Sequence, residues 1–285
     1  MKKDLSICIV NYNTKQLLQK CLRSIFKNTS GLNFEVLVVD NGSVDNSVEM
    51  VKTTFPKVKI TISKKNLYFS KAYNLALTKS TGTYCLILNS DTQIPKNSLR
   101  DTFVFMQKHP KVGAASCREI NKNGQVDKTC SRFPTPQIEF LESNMLTKPF
   151  RQNKILKRYR YDSWKRNTTK EVDVIPGSFM LIRKSVLEKI GYFDENLSLY
   201  YGDNDLCVRI KQTGQKIYHL GTISIIHLQS QSVKLLPQSQ IFKIALQDML
   251  YYYRKHFGFF WWLFLWITFR SNWLFYKLIS KSDKI

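Results

Sequence analysis

The strongest constraint on this chain is the alternation that runs through its first 117 residues. Five apolar, β-branched runs, LSICIV (5–10), FEVLVVD (34–40), VKITI (58–62), YCLILN (84–89) and VGAASC (112–117), are separated by helical-looking segments at roughly 15–28, 44–55, 69–80 and 96–108. Apart from VKITI, the runs lack polar/apolar alternation, so those strands are expected to be buried on both faces. Strand followed by helix, repeated, builds a mostly parallel central sheet flanked by helices, an α/β fold. Ligands of such sheets bind beyond the carboxyl ends of the strands, and VVDNGS and LILNSDT place polar residues there.

A second block, VDVIPGSFMLIRKSVLEKIGYFDENLSLYYGDNDLCVRI (172–210), reads as strand, helix, loop, helix, and KIYHL (216–220) and ISIIHL (223–228) read as two short strands. Residues 145–170 hold nine Lys or Arg against one Asp, with aromatics between them. This stretch is either a solvated, partly helical surface or a contact for lipid phosphates or an anionic acceptor. From about 236 the chain looks helical. The organisation expected is a domain over 1–235, with halves 1–117 and 118–235, followed by a helical segment over 236–285.

Charge narrows the partners. The chain has 44 Lys+Arg against 21 Asp+Glu, a formal net +23, which calls for nucleic acid, a phosphorylated substrate or an acidic membrane surface. Cys8, Cys21, Cys85, Cys117, Cys130 and Cys207 include no CxxC pair, and several sit in apolar runs, so buried free thiols in a reducing compartment are expected. The N-terminal apolar run passes into a strand pattern and is too short for a signal peptide, which suggests a cytosolic N-terminus. Near the other end, 257–269 is 13 residues without a charge, whereas a spanning helix needs about 20. Five aromatics within 257–262, with Arg270 and lysines after them, favour a segment lying at a membrane interface over a spanning or buried helix.

Two stretches carry candidate chemistry on their own. In LILNSDT, Asp91 emerges after a buried strand and can bind a hard cation, or serve as a turn or helix cap. In VVDNGSVDNS, Asp40 ends a strand, and Ser43 or Asp45 can cap the next helix. The absence of GxGxxG removes support for a dinucleotide site. In LYYGDNDLCVRI, Asp203 and Asp205 stand two residues apart in a very basic chain. Like charges oppose each other's ionisation, so the pair needs a cation, a proton or a reaction, unless both simply favour a helix N-terminus.

Taken in order, CIVNYN, VVDNGSVDNS, KNLYFSKAYNLAL, LILNSDT, VIPGSFMLIRKSVLEKIGYFDENL, YYGDNDLCVRI and IIHLQSQS resemble the successive motifs of family-2 inverting glycosyltransferases. The likeness is greatest to rhamnosyltransferase-like bacterial members that build O-antigen and other surface polysaccharides, and it spans about 4–232. It implies a GT-A fold, with nucleotide-binding and acceptor-binding halves around one sheet. On that resemblance Asp40 contacts the nucleotide base, and Asn11, Tyr12, Asn13, Asn66 and Asn74 line the nucleotide pocket. Asn89-Ser90-Asp91 aligns with the DxD-type motif, making Asp91 a ligand of Mn2+ or Mg2+ and His227 a candidate second ligand. Asp203 falls at the catalytic base, and Asp205 supports the loop or contacts acceptor. Gly177 and Ser178 flank the sugar, and Asp194 shapes the acceptor side. One departure is Gly202, where the family commonly has Glu. His219 reads as structural.

The partners so implied are a nucleoside-diphosphate sugar (dTDP-rhamnose or a UDP-sugar), a polyprenyl-diphosphate-linked saccharide acceptor, and the anionic cytoplasmic face of the inner membrane, reached through the C-terminal segment. Nucleic-acid binding fits the charge but leaves the nucleotide-pocket pattern and the aromatic tail unexplained. A sugar nucleotidyltransferase would need a Gly-rich phosphate loop where this chain reads CIVNYNTKQ. A non-catalytic scaffold of the same fold is the remaining alternative.

Overall fold

The computed structural model describes residues 3–143, 153–228 and 233–282. Strands β1 (Leu5–Asn11), β2 (Phe34–Asp40), β3 (Lys59–Ile62) and β4 (Tyr84–Asn89) are parallel and ordered β3-β2-β1-β4. Their register sets Asn11 opposite Asp40 and Val10 opposite Asn89, so three polar residues finish level at one rim.

The two faces of this sheet follow the strand period of two. Ile7 and Ile9 of β1 pack in one cluster with α1 (Lys15–Asn28), α2 (Ser47–Thr54) and α4 (Ser98–Lys108). Cys8 packs in the opposite cluster with α3 (Ser70–Leu77), α7 (Lys184–Ile190) and α8 (Gly202–Gln212). Helix α1 buries Leu18, Cys21, Leu22 and Ile25, the i, i+3, i+4, i+7 stripe of a helix facing a sheet. All six cysteines are buried free thiols.

The remainder of the sheet is mixed. β8 (Phe179–Arg183) runs antiparallel to β4 and to β6 (Val112–Ile120), and β6 runs parallel to β9 (Lys216–His227). Short β5 (Thr92–Gln93) and β7 (Thr169–Glu171) add antiparallel to β9. The two strands expected at KIYHL and ISIIHL are one strand with a register shift. Gly221 looks like a break in sequence, but its role is close approach. A Cβ there would lie 2.5 Å from the backbone of Arg166 and Thr168.

The described part of the basic stretch is folded rather than merely solvated. It contains α6 (Lys154–Tyr159), and Arg166 is 1% exposed, its guanidinium donating to the carbonyls of Cys130, Arg160, Tyr161 and Trp164. Residues 145–152, the Gln229–Ser232 run after His227 and residues 283–285 lie outside the described residues.

The two halves expected about position 117 share one sheet, and the segment after 235 packs on the rest. Position 117 is inside β6. Past 235, α9 (Gln238–Phe257) and α10 (Phe259–Ser282) build a third apolar cluster in which Met249, Tyr252, Tyr253 and Leu265 enclose Leu197. Helix α5 (Pro136–Ser143) joins it through Phe140. Among the described residues, no helix is long and apolar enough to cross a membrane.

Candidate functional site

Two hollows meet at the carboxyl rim of β1, β2 and β4. The first, of about 180 Å³, is walled by Tyr12, Asn41, Asn66, Tyr68, Asn89 and Asp91, among others. The second, of about 500 Å³, is walled by Glu119, Glu139, Gly177, Ser178, Tyr201 and Asp203, among others. Phe69, Asn89, Leu199 and His227 belong to both.

A hydrogen-bonded frame supports the first hollow. Asn11 Nδ2 donates to Asp40 Oδ2 and to Ser43 Oγ, each at 3.1 Å, and the Ser43 N–H donates to Asp40 Oδ1 at 3.0 Å. Asn13 Oδ1 accepts from the Val44 N–H at 2.8 Å. Asp45 caps both neighbouring helices, accepting from the N–H groups of Lys15 at 2.7 Å and Ser47 at 3.1 Å. Asn41 Nδ2 donates to Asn66 Oδ1 at 2.8 Å and to the Tyr68 carbonyl at 3.0 Å, tying the 66–68 loop to the end of β2.

Tyr12, Asn66, Asn89 and Asp91 stand in the wall of the first hollow. Asp40 does not; at 1% exposure, with both oxygens engaged, it braces the rim from beneath alongside Asn11. Asn13 borders a neighbouring hollow with Asp45. Asn74 faces elsewhere: its amide exchanges bonds with the Phe193 backbone at 3.0 and 3.1 Å and donates to Glu195 at 3.2 Å, locking α3 to the 193–195 loop.

Between the hollows lies a charged triad that sequence had only half revealed. His227 ends β9, and its Nδ1 sits 2.6 Å from Glu119 Oε2, while Ser178 Oγ donates to Glu119 Oε1. Its buried Nε2 lies 3.2 Å from Asp91 Oδ1, at ion-pair distance. Burial opposes a charge on this ring, but Asp91 and Glu119 outweigh it and push the imidazole up to about 10. A ring nitrogen and a carboxylate oxygen 3.2 Å apart suit a divalent cation, which would compete with that proton. Glu119 orients the ring in the way a carboxylate behind a metal-bound histidine does. No cage of three or more His, Cys, Asp or Glu side chains exists among the described residues. A metal here would therefore need oxygens from a ligand, as in sites completed by a diphosphate.

Asp203 stands in the first turn of α8, in the wall of the second hollow. Burial pushes its carboxyl up, against the N–H groups of Asn204 and Gly177. Asp205, one bond-turn on, is fully buried between Arg209, Lys255 and His256, at 2.8, 2.6 and 2.8 Å. Burial alone would raise its pKa; His256, Arg209 and Lys255 prevail and hold it down to about 2. The two acids are thereby set apart, Asp203 with a raised pKa in the wall of the second hollow and Asp205 as an ionised strut. Asp194 is a second strut, paired with Lys255 at 2.7 Å and Tyr251 at 3.0 Å. Tyr201, just before α8, sits at φ 59°, and Tyr68, in the wall of the first hollow, at φ 60°. Left-handed backbone at bulky residues is held only where surrounding structure over-determines it.

The loop before α8 is fastened from α9. Asp248, 2% exposed, accepts from the N–H groups of Ser198, Leu199 and Tyr200 at 3.0, 2.8 and 2.8 Å. Replacing Asp248 with Ala strands those donors, and chemical denaturation should show a loss of about 2–3 kcal/mol.

Glycines set the clearances. A Cβ on Gly177 would lie 2.6 Å from Phe69 Cζ, and Phe69 is itself packed 4.5 Å from Tyr73 and 5.4 Å from Phe193, ring to ring. Gly177→Ala should cost about 1–3 kcal/mol in the same measurement, by overpacking. A Cβ on Gly202 would lie 2.9 Å from Ser70 Oγ, so the close seating of α3 on α8 gives that position a packing reason to be glycine.

The family model described as Glycosyl transferase family 2 matches residues 6–191. A low-salt glycan biosynthesis hexosyltransferase of Haloferax volcanii is 27% identical over 234 residues, covering 80% of this chain and 68% of that protein. An N-acetylglucosaminyl-diphospho-decaprenol L-rhamnosyltransferase of Mycobacterium tuberculosis is 22% identical over 281 residues, covering 92% and 87%. Among solved structures, a mannosyltransferase of Pyrobaculum calidifontis in complex with GDP-Man and Mn2+ superposes with TM-score 0.59 at 17% identity, over 90% of this chain and 64% of that one. Staphylococcus aureus TarS 1-349 in complex with UDP-GlcNAc gives 0.57 at 18%, over 86% and 65%. The chain thus spans a little under two thirds of these structures, and the likeness establishes a GT-A-like α/β fold with a mixed central sheet.

Proposed function

Because this chain belongs to glycosyl transferase family 2, we propose that it is a metal-dependent, inverting hexosyltransferase of bacterial surface-polysaccharide synthesis. It would move a sugar from dTDP-rhamnose or a UDP-sugar to a lipid-linked saccharide, with the donor in the first hollow and the acceptor in the second. The observation that supports this most is the meeting of the two hollows at Asn89 and His227, with the Asp91–His227 pair at the junction and Asp203 on the acceptor side.

The chemistry then follows from the residues. Asp203 takes the proton of an acceptor hydroxyl as that oxygen attacks the anomeric carbon. The bond from that carbon to the diphosphate oxygen breaks, its electron pair leaves with the nucleoside diphosphate, and the configuration inverts. No covalent sugar–enzyme intermediate is required. Asp91 and His227 would hold Mn2+ or Mg2+, which supplies charge neutralisation for the departing diphosphate. Tyr12, Asn41, Asn66 and Tyr68 enclose the donor, while Ser178 and Glu119 couple the acceptor wall to the junction. Asp205, Asp194 and Asp248 keep the acceptor loop in place. The test is transfer of radiolabelled sugar from a donor panel into butanol-extractable lipid. A labelled product whose anomeric configuration is opposite to the donor's supports the proposal, and retention of configuration would sink it.

Attachment to the cytoplasmic face of the membrane is part of the same proposal. Phe260, Phe264 and Ile267 form an i, i+4, i+7 stripe on α10, exposed at 85%, 41% and 51%. Deleting α10 would also remove Leu265 from the third apolar cluster, so a point substitution is the cleaner probe. Phe260→Asp should lower sedimentation with phosphatidylglycerol-containing liposomes several-fold at unchanged melting temperature.

A further inference from the structure

Two further hollows continue the acceptor cleft. One, of about 210 Å³, shares Glu139, Tyr200 and Tyr201 with that cleft and adds Phe242, Leu246 and Phe269. The next, of about 390 Å³, is walled by the same Phe242, Leu246 and Phe269, together with Leu250, Trp266 and Arg270. A trough between α9 and α10 therefore opens into the cleft that holds Asp203.

Part of its lining serves the core, since Leu246, Leu250 and Phe269 pack against the third apolar cluster, but Phe242 and Trp266 are not among that cluster's residues. Helix α9 already buries one stripe, Ile244, Met249, Tyr252 and Tyr253. Phe242, Leu246 and Leu250 form a second stripe at i, i+4, i+8; Leu246 and Leu250 pack on that cluster, while Phe242 faces solvent, where a helix is ordinarily polar. Phe242 stays 57% exposed and Trp266 37% exposed. Among the described residues the wall has one cation, Arg270, which lies over the Trp266 ring at 5.0 Å, and one acid, Glu139, which belongs to the cleft end. Polarity thus falls from the sugar-sized cleft into the trough, which matches an amphiphile with a polar head and a hydrocarbon tail.

We infer that the trough between α9 and α10 binds the isoprenoid tail of the acceptor, so that the lipid is recognised by this chain and not only held nearby by the bilayer. The inference rests on the transferase reading above. It differs from membrane attachment, since the outward stripe of α10 is Phe260, Phe264 and Ile267, none of which lines the trough.

The experiment is equilibrium dialysis of the full chain, without detergent, against radiolabelled farnesyl diphosphate, with isopentenyl diphosphate and inorganic diphosphate as short-tailed and tail-less comparators. Nucleotide binding in Mn2+ is measured on the same samples. Farnesyl diphosphate should bind at least tenfold more tightly than isopentenyl diphosphate. Phe242→Asp and Leu246→Trp should each abolish that advantage with nucleotide binding unchanged; Phe242, being largely exposed, is the variant least able to disturb folding. Phe260→Asp should leave the advantage within twofold. Nucleotide binding without any tail dependence would overturn the trough and spare the transferase. Equal loss in Phe260→Asp and Phe242→Asp would overturn it in favour of general surface stickiness. Tail dependence that is sensitive to Phe242→Asp, in a protein that binds no nucleotide, would uphold the trough and sink the transferase.

Discussion

Asp203→Asn is expected to lower sugar transfer by about three orders of magnitude, within the range of about 10²–10⁴ attributed to a positioned general base. The amide keeps the shape of the side chain and can still meet the Asn204 N–H, which donates to Asp203 Oδ1 at 2.9 Å. Donor binding should therefore be unchanged, because Asp203 lines only the acceptor hollow. The loss belongs in kcat/KM for acceptor with the nucleotide Kd constant. The pH profile gives a second signature. A base works ionised, and burial raises this carboxyl above its ordinary range. Activity should be full at high pH and fall as pH drops through that raised value, giving an acid limb higher than a solvent-exposed aspartate produces. Asp205→Asn behaves differently. Its depressed pKa of about 2 means the ion pairs with Arg209 and Lys255, with the hydrogen bond to His256, stabilise the fold above the ordinary carboxylate pKa and weaken as pH falls towards about 2. That variant should lower the melting temperature, whereas Asp203→Asn should not.

The second large effect is expected at Asp91. Charge stabilisation of a leaving diphosphate is worth several kcal/mol, so Asp91→Asn should lower transfer by about two to three orders of magnitude. It should also remove the Mn2+-dependent part of nucleotide binding. Glu119→Gln touches the same assembly from behind. It leaves Nδ1 of His227 a weaker partner, and a loss of about 10–100-fold in metal affinity is the scale for such supporting carboxylates. Metal titrations of the three proteins separate the roles: Asp91→Asn should abolish saturable Mn2+ enhancement, and Glu119→Gln should shift its midpoint.

Much of this architecture was legible from the chain. The apolar runs read as doubly buried strands, which holds for β1, β2 and β4, whereas β3 is an edge strand with Ile62 exposed. Polar residues after Val39 and Leu88 marked the rim where the two hollows lie. The ordered motifs brought Asp91, Asp203 and His227 into one neighbourhood although more than 110 residues separate the first from the second. What stayed hidden depended on tertiary contact. Glu119 in REI looks like the outward residue of an edge strand, and only the pairing of β6 with β9 turns it towards His227. Asp248, Lys255 and His256 read as the polar face of a tail helix, yet they anchor Ser198–Tyr200, Asp194 and Asp205. Asn74 and Asp40 carry nucleotide-pocket motifs but spend their hydrogen bonds on the frame. Asn41, next to Asp40, is the wall residue, and its place directly after the strand end was the signal available for it.

The most direct test of the account is a thermal-shift panel of UDP, dTDP, GDP and their sugars, with and without Mn2+, on the unaltered protein and on Asp91→Asn. The account predicts stabilisation by one nucleotide base, larger with Mn2+ in the unaltered protein and indifferent to Mn2+ in Asp91→Asn. Folded protein that shifts with none of these ligands, or a Mn2+ effect that survives in Asp91→Asn, would contradict it.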